Sequence, residues 1–99
     1  MERGGSVYLM TNFKKTTLYT GVTSELLSRV YDHKTKRYPN SFTVRYNLTI
    51  LVYYENFHSI EEAIDYEKYV KNKSRKWKED LINKRNPEWK DLWDEIKDW

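Results

Sequence analysis

Glu67 is the residue of this sequence that packing explains least. At about 100° per residue, Ile60, Ala63, Ile64 and Val70 share one face of a helix, and Glu67 projects from the middle of that stripe. An ionised carboxylate is rarely buried alone, so Glu67 requires an arginine, several hydrogen-bond donors or a metal ion. Arg29 and His33 stand four residues apart on one flank of another apolar stripe. Tyr8 and Tyr19 belong to two runs that alternate in period two, and they fall on one sheet face if the loop joining the runs has an even number of residues. Two phenols, a guanidinium, an imidazole and a carboxylate that converge make an active site. If they do not converge, they make cross-strand aromatic packing and a structural ion pair.

The elements that must position these groups follow from patterning. Ser6 to Thr11 and Thr17 to Val22 are rich in Val, Leu, Tyr and Thr, which predicts a hairpin turning around Lys14. Thr23 or Ser24 caps a helix running to about Lys36, with Leu26, Leu27 and Val30 inward. A loop, TKRYPNSFTVRYN, leads to LTILVYYE (Leu48 to Glu55), a nearly continuous apolar and aromatic run that predicts a central strand. Ser59 and Glu62 form a capping box that opens the helix carrying Glu67. Ser74 caps a third helix built on Trp77 and Leu81. Asn86-Pro87 has the chemistry to start a fourth, with Trp89, Leu92, Trp93 and Ile96 as one stripe. The order is β-β-α-β-α-α-α.

With 99 residues the chain reads as one domain, 1–99, in which site and scaffold share the same elements. The absence of cysteine excludes disulfides and thiolate metal sites. No apolar run reaches spanning length and Met1 to Gly5 carries no leader pattern, so a soluble cytoplasmic protein with no membrane partner is expected. The net charge is only +3, but Lys68 to Arg85 holds eight Lys or Arg against Glu79 and Asp80, while Asn86 to Trp99 holds five acids against Lys90 and Lys97. That separation suits an anionic partner, while the lysines taken alone read as a solvated basic helix face.

Tyr8, then Tyr19-Thr20-Gly21, then Arg29 ten residues after Tyr19, His33 four further and a later helix-borne Glu67 resemble the GIY-YIG endonuclease superfamily, in particular its small stand-alone bacterial (URI-type) branch. The first motif here reads Ser6-Val7-Tyr8, without the family's Gly and Ile, and Thr23 stands where a basic residue is often found. Many members also carry an Asn shortly past the metal glutamate; Asn83 and Asn86 lie later, and Asn86 reads as a helix cap. The resemblance implies an α+β fold, a small three-stranded antiparallel sheet flanked by helices, cleaving a DNA phosphodiester with one divalent metal, Mg²⁺ or Mn²⁺, in repair or recombination. It implies that Glu67 holds the metal and Arg29 clamps the scissile phosphate. Tyr8 and Tyr19 would position water and phosphate, with Tyr8, Tyr19 or His33 as the general base. Gly21, lacking Cβ, permits a close approach at the strand end.

Lys34, Lys36, Arg37 and Arg45 lie in or beside the loop with Tyr38, a mixture suited to phosphate contact and base stacking, and Lys71 and Arg75, with Lys73, Lys76 and Lys78, extend the track. No recognition helix is evident, so structure-directed or weakly specific binding is expected, which leaves room for a protein partner to supply specificity. The alternative is a nucleic-acid-binding module that keeps the nuclease fold without turnover.

Overall fold

In the computed structural model, β1 (Gly5–Thr11) and β2 (Leu18–Thr23) pair antiparallel, with Tyr8 opposite Gly21 and Met10 opposite Tyr19. The structure describes residues 4–99; residues 1–3, where the expected single domain and the Met1 to Gly5 stretch begin, lie outside the described residues. Thr11 faces Leu18, which leaves residues 12–17 as an even-numbered turn. Tyr8 and Tyr19 therefore share a face, while Val7, Leu9, Leu18, Thr20 and Val22 line the other. Asn12 holds the turn through its Oδ1, which accepts the Thr16 N–H at 2.8 Å.

The third strand, β3 (Ile50–Phe57), pairs antiparallel with β1, so the sheet order is β2-β1-β3. The expectation of a central strand here is corrected: β1 is central and β3 lies at an edge. The apolar run has two other causes. The register slips by one residue between Leu9 and Met10, so Leu51 and Tyr54 join the packing on one side of the sheet while both Val52 and Tyr53 join the other. The outer edge is also covered by the C-terminal segment. The Leu92 N–H donates to Leu51 O at 2.7 Å, Asp91 Oδ1 accepts from the Leu51 N–H at 3.2 Å, and Asn86 Nδ2 donates to Val52 O at 3.1 Å. Closed in this way, Leu51 to Tyr53 are buried like residues of an interior strand.

Helices cover both faces. On the tyrosine face, α1 (Leu26–Lys34) brings Leu26 and Val30 against Tyr8, Met10, Leu48 and Leu51. On the other, α3 (Ile60–Lys71) and α4 (Arg75–Arg85) bring Val70 and Ile82 against Leu9, Val52 and Tyr53. Full burial of each aliphatic side chain contributes roughly 1.5–3 kcal/mol, so the two clusters on either side of one thin sheet are what hold it. Ser59 and Ser74 cap α3 and α4 as expected, accepting from the Glu62 and Trp77 N–H groups. Ahead of α1, Thr23 Oγ1 accepts from the Glu25 N–H, and the helix itself begins at Leu26.

Two differences concern the irregular segments. The loop after α1 contains a short helix, α2 (Phe42–Arg45), capped by Ser41. The helix expected from Asn86-Pro87 does not form. Asn86 instead closes α4, Trp89 adopts a left-handed conformation (φ 54°), and only α5 (Trp93–Ile96) is helical. The expected stripe divides around the sheet edge: Trp89 packs with the α3–α4 side, and Leu92, Trp93 and Ile96 with the α1 side. Among the described residues, no helix is long and apolar enough to cross a membrane.

Candidate active site

Tyr8, Tyr19 and His33 meet between the sheet and α1. The rings of Tyr8 and Tyr19 lie 6.2 Å apart, and each lies 5.7 Å from the His33 ring. Strand pairing places the phenols on one face, and the i, i+4 spacing on α1 brings Arg29 and His33 over them. Gly21 makes the approach possible. A β-carbon there would lie 2.5 Å from both Cζ and Oη of Tyr8, so the group that comes close to this glycine is the Tyr8 ring itself.

The buried centre of the cluster is a chain of hydrogen bonds. Tyr8 Oη and His33 Nε2 are 2.9 Å apart, His33 Nδ1 and Thr43 Oγ1 are 2.9 Å apart, and Thr43 Oγ1 lies 3.2 Å from Ser41 Oγ, which accepts the Val44 N–H. Tyr8 and His33 are 1 % and 4 % exposed. Burial, followed by the neighbouring Tyr19, raises the Tyr8 phenol far above the usual range, against the pull of Arg29. Burial, followed by the Arg29 charge, lowers His33 to about 4, with Asp32 opposing. Both rings are neutral at pH 7. Burial acts to lower the Arg29 pKa, but Tyr8, Tyr19 and Asp32 outweigh it and raise it on balance, so the cation is secure. Arg29 and Tyr19 are only half-buried and form the accessible rim.

Glu67 belongs to the other helical layer. Its side chain is 12 % exposed and pairs with Lys71 Nζ at 3.4 Å. The two layers meet around the free edge of β2, where a groove of about 280 Å³ is lined by Leu18, Tyr19, Thr20, Phe42, Lys71 and Lys78. Tyr19 and the ion-pair partner of Glu67 thus share one cleft. Among the described residues no three His, Asp or Glu side chains cluster as a metal cage. Mg²⁺ does not require one, because it keeps several waters and takes one or two carboxylates plus substrate phosphates. Thr20 Oγ1, on the α3-facing side of β2, is buried without a hydrogen-bond partner among the described residues, an oxygen donor to spare on the same layer as Glu67. A hard carboxylate whose ion-pair partner Lys71 shares a groove with an orphan hydroxyl fits a cation whose shell is completed by phosphate and water.

The family described as GIY-YIG catalytic domain matches residues 4–80, which span both tyrosine strands, α1 and Glu67. The chain belongs to the GIY-YIG family. In fold it is similar to the UPF0213 protein of Bacillus halodurans, whose solution NMR structure has a TM-score of 0.57 and 27 % identity, covering 90 % of this chain and 93 % of that one. No curated protein matches the sequence. Membership brings a nuclease-type fold, with the three-stranded antiparallel sheet and flanking helices described above.

Within this GIY-YIG chain the basic residues expected to grip nucleic acid divide into engaged and available groups. Lys34 is engaged: its Nζ pairs with Asp91 and donates to Thr49 O at 2.8 Å, tying α1 to the C-terminal segment. Arg75 is engaged as well, since its guanidinium donates to Glu79, Thr16 O and Lys15 O and pins the hairpin turn to α4. Lys36 donates to Asn47 Oδ1 at 2.9 Å, and Arg37 lies 3.5 Å from Asp32, both on the surface. Arg45 is exposed, and Lys71 and Lys78 line the β2-edge groove.

Sequence reading missed Thr43, Thr20 and Phe42. The SFT of the loop carried a signal for the first and last, because a serine ahead of a short helical turn is an N-cap. What that turn would touch depended on the fold.

Proposed function

We propose that this chain is a metal-dependent endonuclease that hydrolyses phosphodiester bonds in DNA, with repair or recombination as its setting. The observation that carries the reading is the buried Tyr8–His33 hydrogen bond placed directly beneath a rim formed by Tyr19 and the permanently charged Arg29. Arg29 takes the scissile phosphate, because a planar guanidinium donates two parallel hydrogen bonds to a phosphate and offsets the charge that develops there. Tyr19, the more accessible phenol, orients the attacking water. Water oxygen bonds to phosphorus as the ester P–O bond breaks. The water proton passes to the phenols while Tyr8 donates its own to His33 Nε2, and the leaving oxygen is protonated from solvent. Burial is the main cause of the low His33 pKa and the Arg29 charge the second; a bound phosphate offsets the second, which makes the ring a better proton acceptor with substrate than without it. Thr43 keeps the ring oriented through Nδ1. Glu67 would hold Mg²⁺ or Mn²⁺, which supplies positive charge to polarise the phosphate.

The rival reading, a binding module without turnover, draws on the Glu67–Lys71 ion pair, which already gives the carboxylate a partner. Incubation with nicked, branched, single-stranded and duplex DNA, with and without Mg²⁺ or Mn²⁺, separates the two. The nuclease reading requires cleavage that depends on metal and is lost in Glu67→Gln while binding and folding persist. Binding without cleavage under every metal condition overturns it in favour of the module.

A further inference from the structure

The short helix α2 leaves two aromatic rings on the surface at the mouth of the tyrosine–histidine cluster. Phe42 is 47 % exposed and Tyr46 is 43 % exposed. Their centroids are 4.6 Å apart, and Phe42 lies 6.2 Å from Tyr19, so three rings step outward from the reacting centre. Holding a phenylalanine in water forgoes the burial that would normally place it in a core. These rings are nevertheless fixed. Thr43, between them in sequence, is buried on His33, and Ser41 caps the helix. Lys36 and Asn47, both in the left-handed region (φ 56°), join the ends of the segment through a 2.9 Å hydrogen bond. Cations flank the rings: Arg45 on α2, and Lys71 and Lys78 across the groove that Phe42 helps to line.

We propose that Phe42 and Tyr46 form a stacking platform for unpaired nucleobases, so that the site takes single-stranded DNA, or the single-stranded arm of a branched or frayed duplex, in preference to intact duplex. The inference rests on the nuclease reading for its placement beside the scissile phosphate. A base inside a duplex has both faces covered by its neighbours and offers nothing to an aromatic side chain. An unpaired base offers a π-face whatever its identity, and the adjoining cations meet its phosphates. The rigid α2 then sets how far the first stacked base stands from Tyr19 and Arg29.

Fluorescence anisotropy in EDTA, with a short oligothymidylate and a blunt duplex of equal length, tests the platform without turnover. The expected result is tighter binding of the single strand. Phe42→Ala and Tyr46→Ala should each lower single-strand affinity about fivefold to a hundredfold while leaving duplex affinity within about a factor of two, and Phe42→Trp should retain it. Equal binding of both DNAs by the unaltered protein, or equal losses on both in the alanine variants, overturns the proposal. A second measurement leaves the protein intact: an abasic unit is moved along the single strand. One position should weaken binding to the unaltered protein but not to Phe42→Ala; a flat profile overturns the proposal. Strand preference without any metal-dependent cleavage would remove the nuclease reading and leave the platform standing, whereas cleavage without strand preference would remove the platform alone.

Discussion

Gly21 and Tyr8 depend on each other through direct contact. A methyl group at position 21 occupies the space of the Tyr8 phenol, and strand pairing leaves neither backbone free to move aside. Gly21→Ala should therefore destabilise the protein by about 1–3 kcal/mol, the usual cost of overpacking, and displace Tyr8 from His33. Denaturation midpoints and cleavage rates measured together check this, and an unchanged rate would remove Tyr8 from the chemistry. His33 offers a second measurement. Its folded pKa of about 4 lies below the ordinary 6.5, so between these values the unfolded chain binds the proton and the folded one does not. Stability is fully present above pH 6.5, falls as pH drops through that window and levels off near 4; the effect amounts to at most about 3 kcal/mol. Urea midpoints across this range should show the slope in the native protein and its loss in His33→Asn. If His33 takes the proton as proposed, the same variant should cleave about a hundredfold to ten-thousandfold more slowly. Tyr8, Tyr19, Arg29 and His33 were legible in the sequence because period-two and i, i+4 spacing are local rules. Thr43 was not, since its partner lies ten residues away across an irregular loop.

Among the elements, the edge strand and the segment that covers it show where patterning misleads. A continuous apolar run says that both faces of a strand are buried, but not what covers its edge. β3 has helices on both faces and lies at the margin, sealed by backbone and side-chain hydrogen bonds from the C-terminal stretch. Asn86 is the pivot. Its Nδ2 donates to Val52 O and Lys90 O and its Oδ1 accepts from the Lys90 N–H, so one buried amide ends α4, closes the strand edge and starts the return of the chain. An asparagine before a proline resembles a helix N-cap in sequence, and only the distant carbonyl of Val52 distinguishes the two. Asn86→Ala leaves buried groups unpaired, at about 1–3 kcal/mol for each such loss. The loosening should be local. Hydrogen exchange should accelerate at Leu51 and Leu92, whose amides bind across this edge, well before it does at Val7 and Leu9 in the central strand. Uniform acceleration over the whole sheet would show that Asn86 supports global stability only.

For the molecule as a whole, the net charge of +3 understates the positive character of one edge. The free side of β2 runs between the two helical layers, and its groove carries Lys71 and Lys78 next to Tyr19 and Phe42. Lys34 and Arg75, equally basic in sequence, are turned to other work, one tying α1 to Asp91 and the other pinning the hairpin turn. Composition cannot separate these groups, because a cation that braces the fold and one that awaits a phosphate have the same formula. Salt dependence does separate them. Each phosphate neutralised on a single strand contributes a slope of about −0.7 to log K against log salt, and on duplex about −0.9. Lys78→Ala should thus reduce the magnitude of the slope by about that amount without altering thermal stability. Lys71→Ala should do the same, and it also frees Glu67 from its ion pair, so the metal concentration needed for cleavage should fall. Lys34→Ala should leave the slope unchanged and lower the melting temperature, because the partly buried Asp91 and the carbonyl of Thr49 lose their shared donor. If instead Lys34→Ala flattens the salt dependence while Lys71→Ala and Lys78→Ala do not, the DNA path runs over the face of α1 and the β2-edge groove is not the entrance to the site.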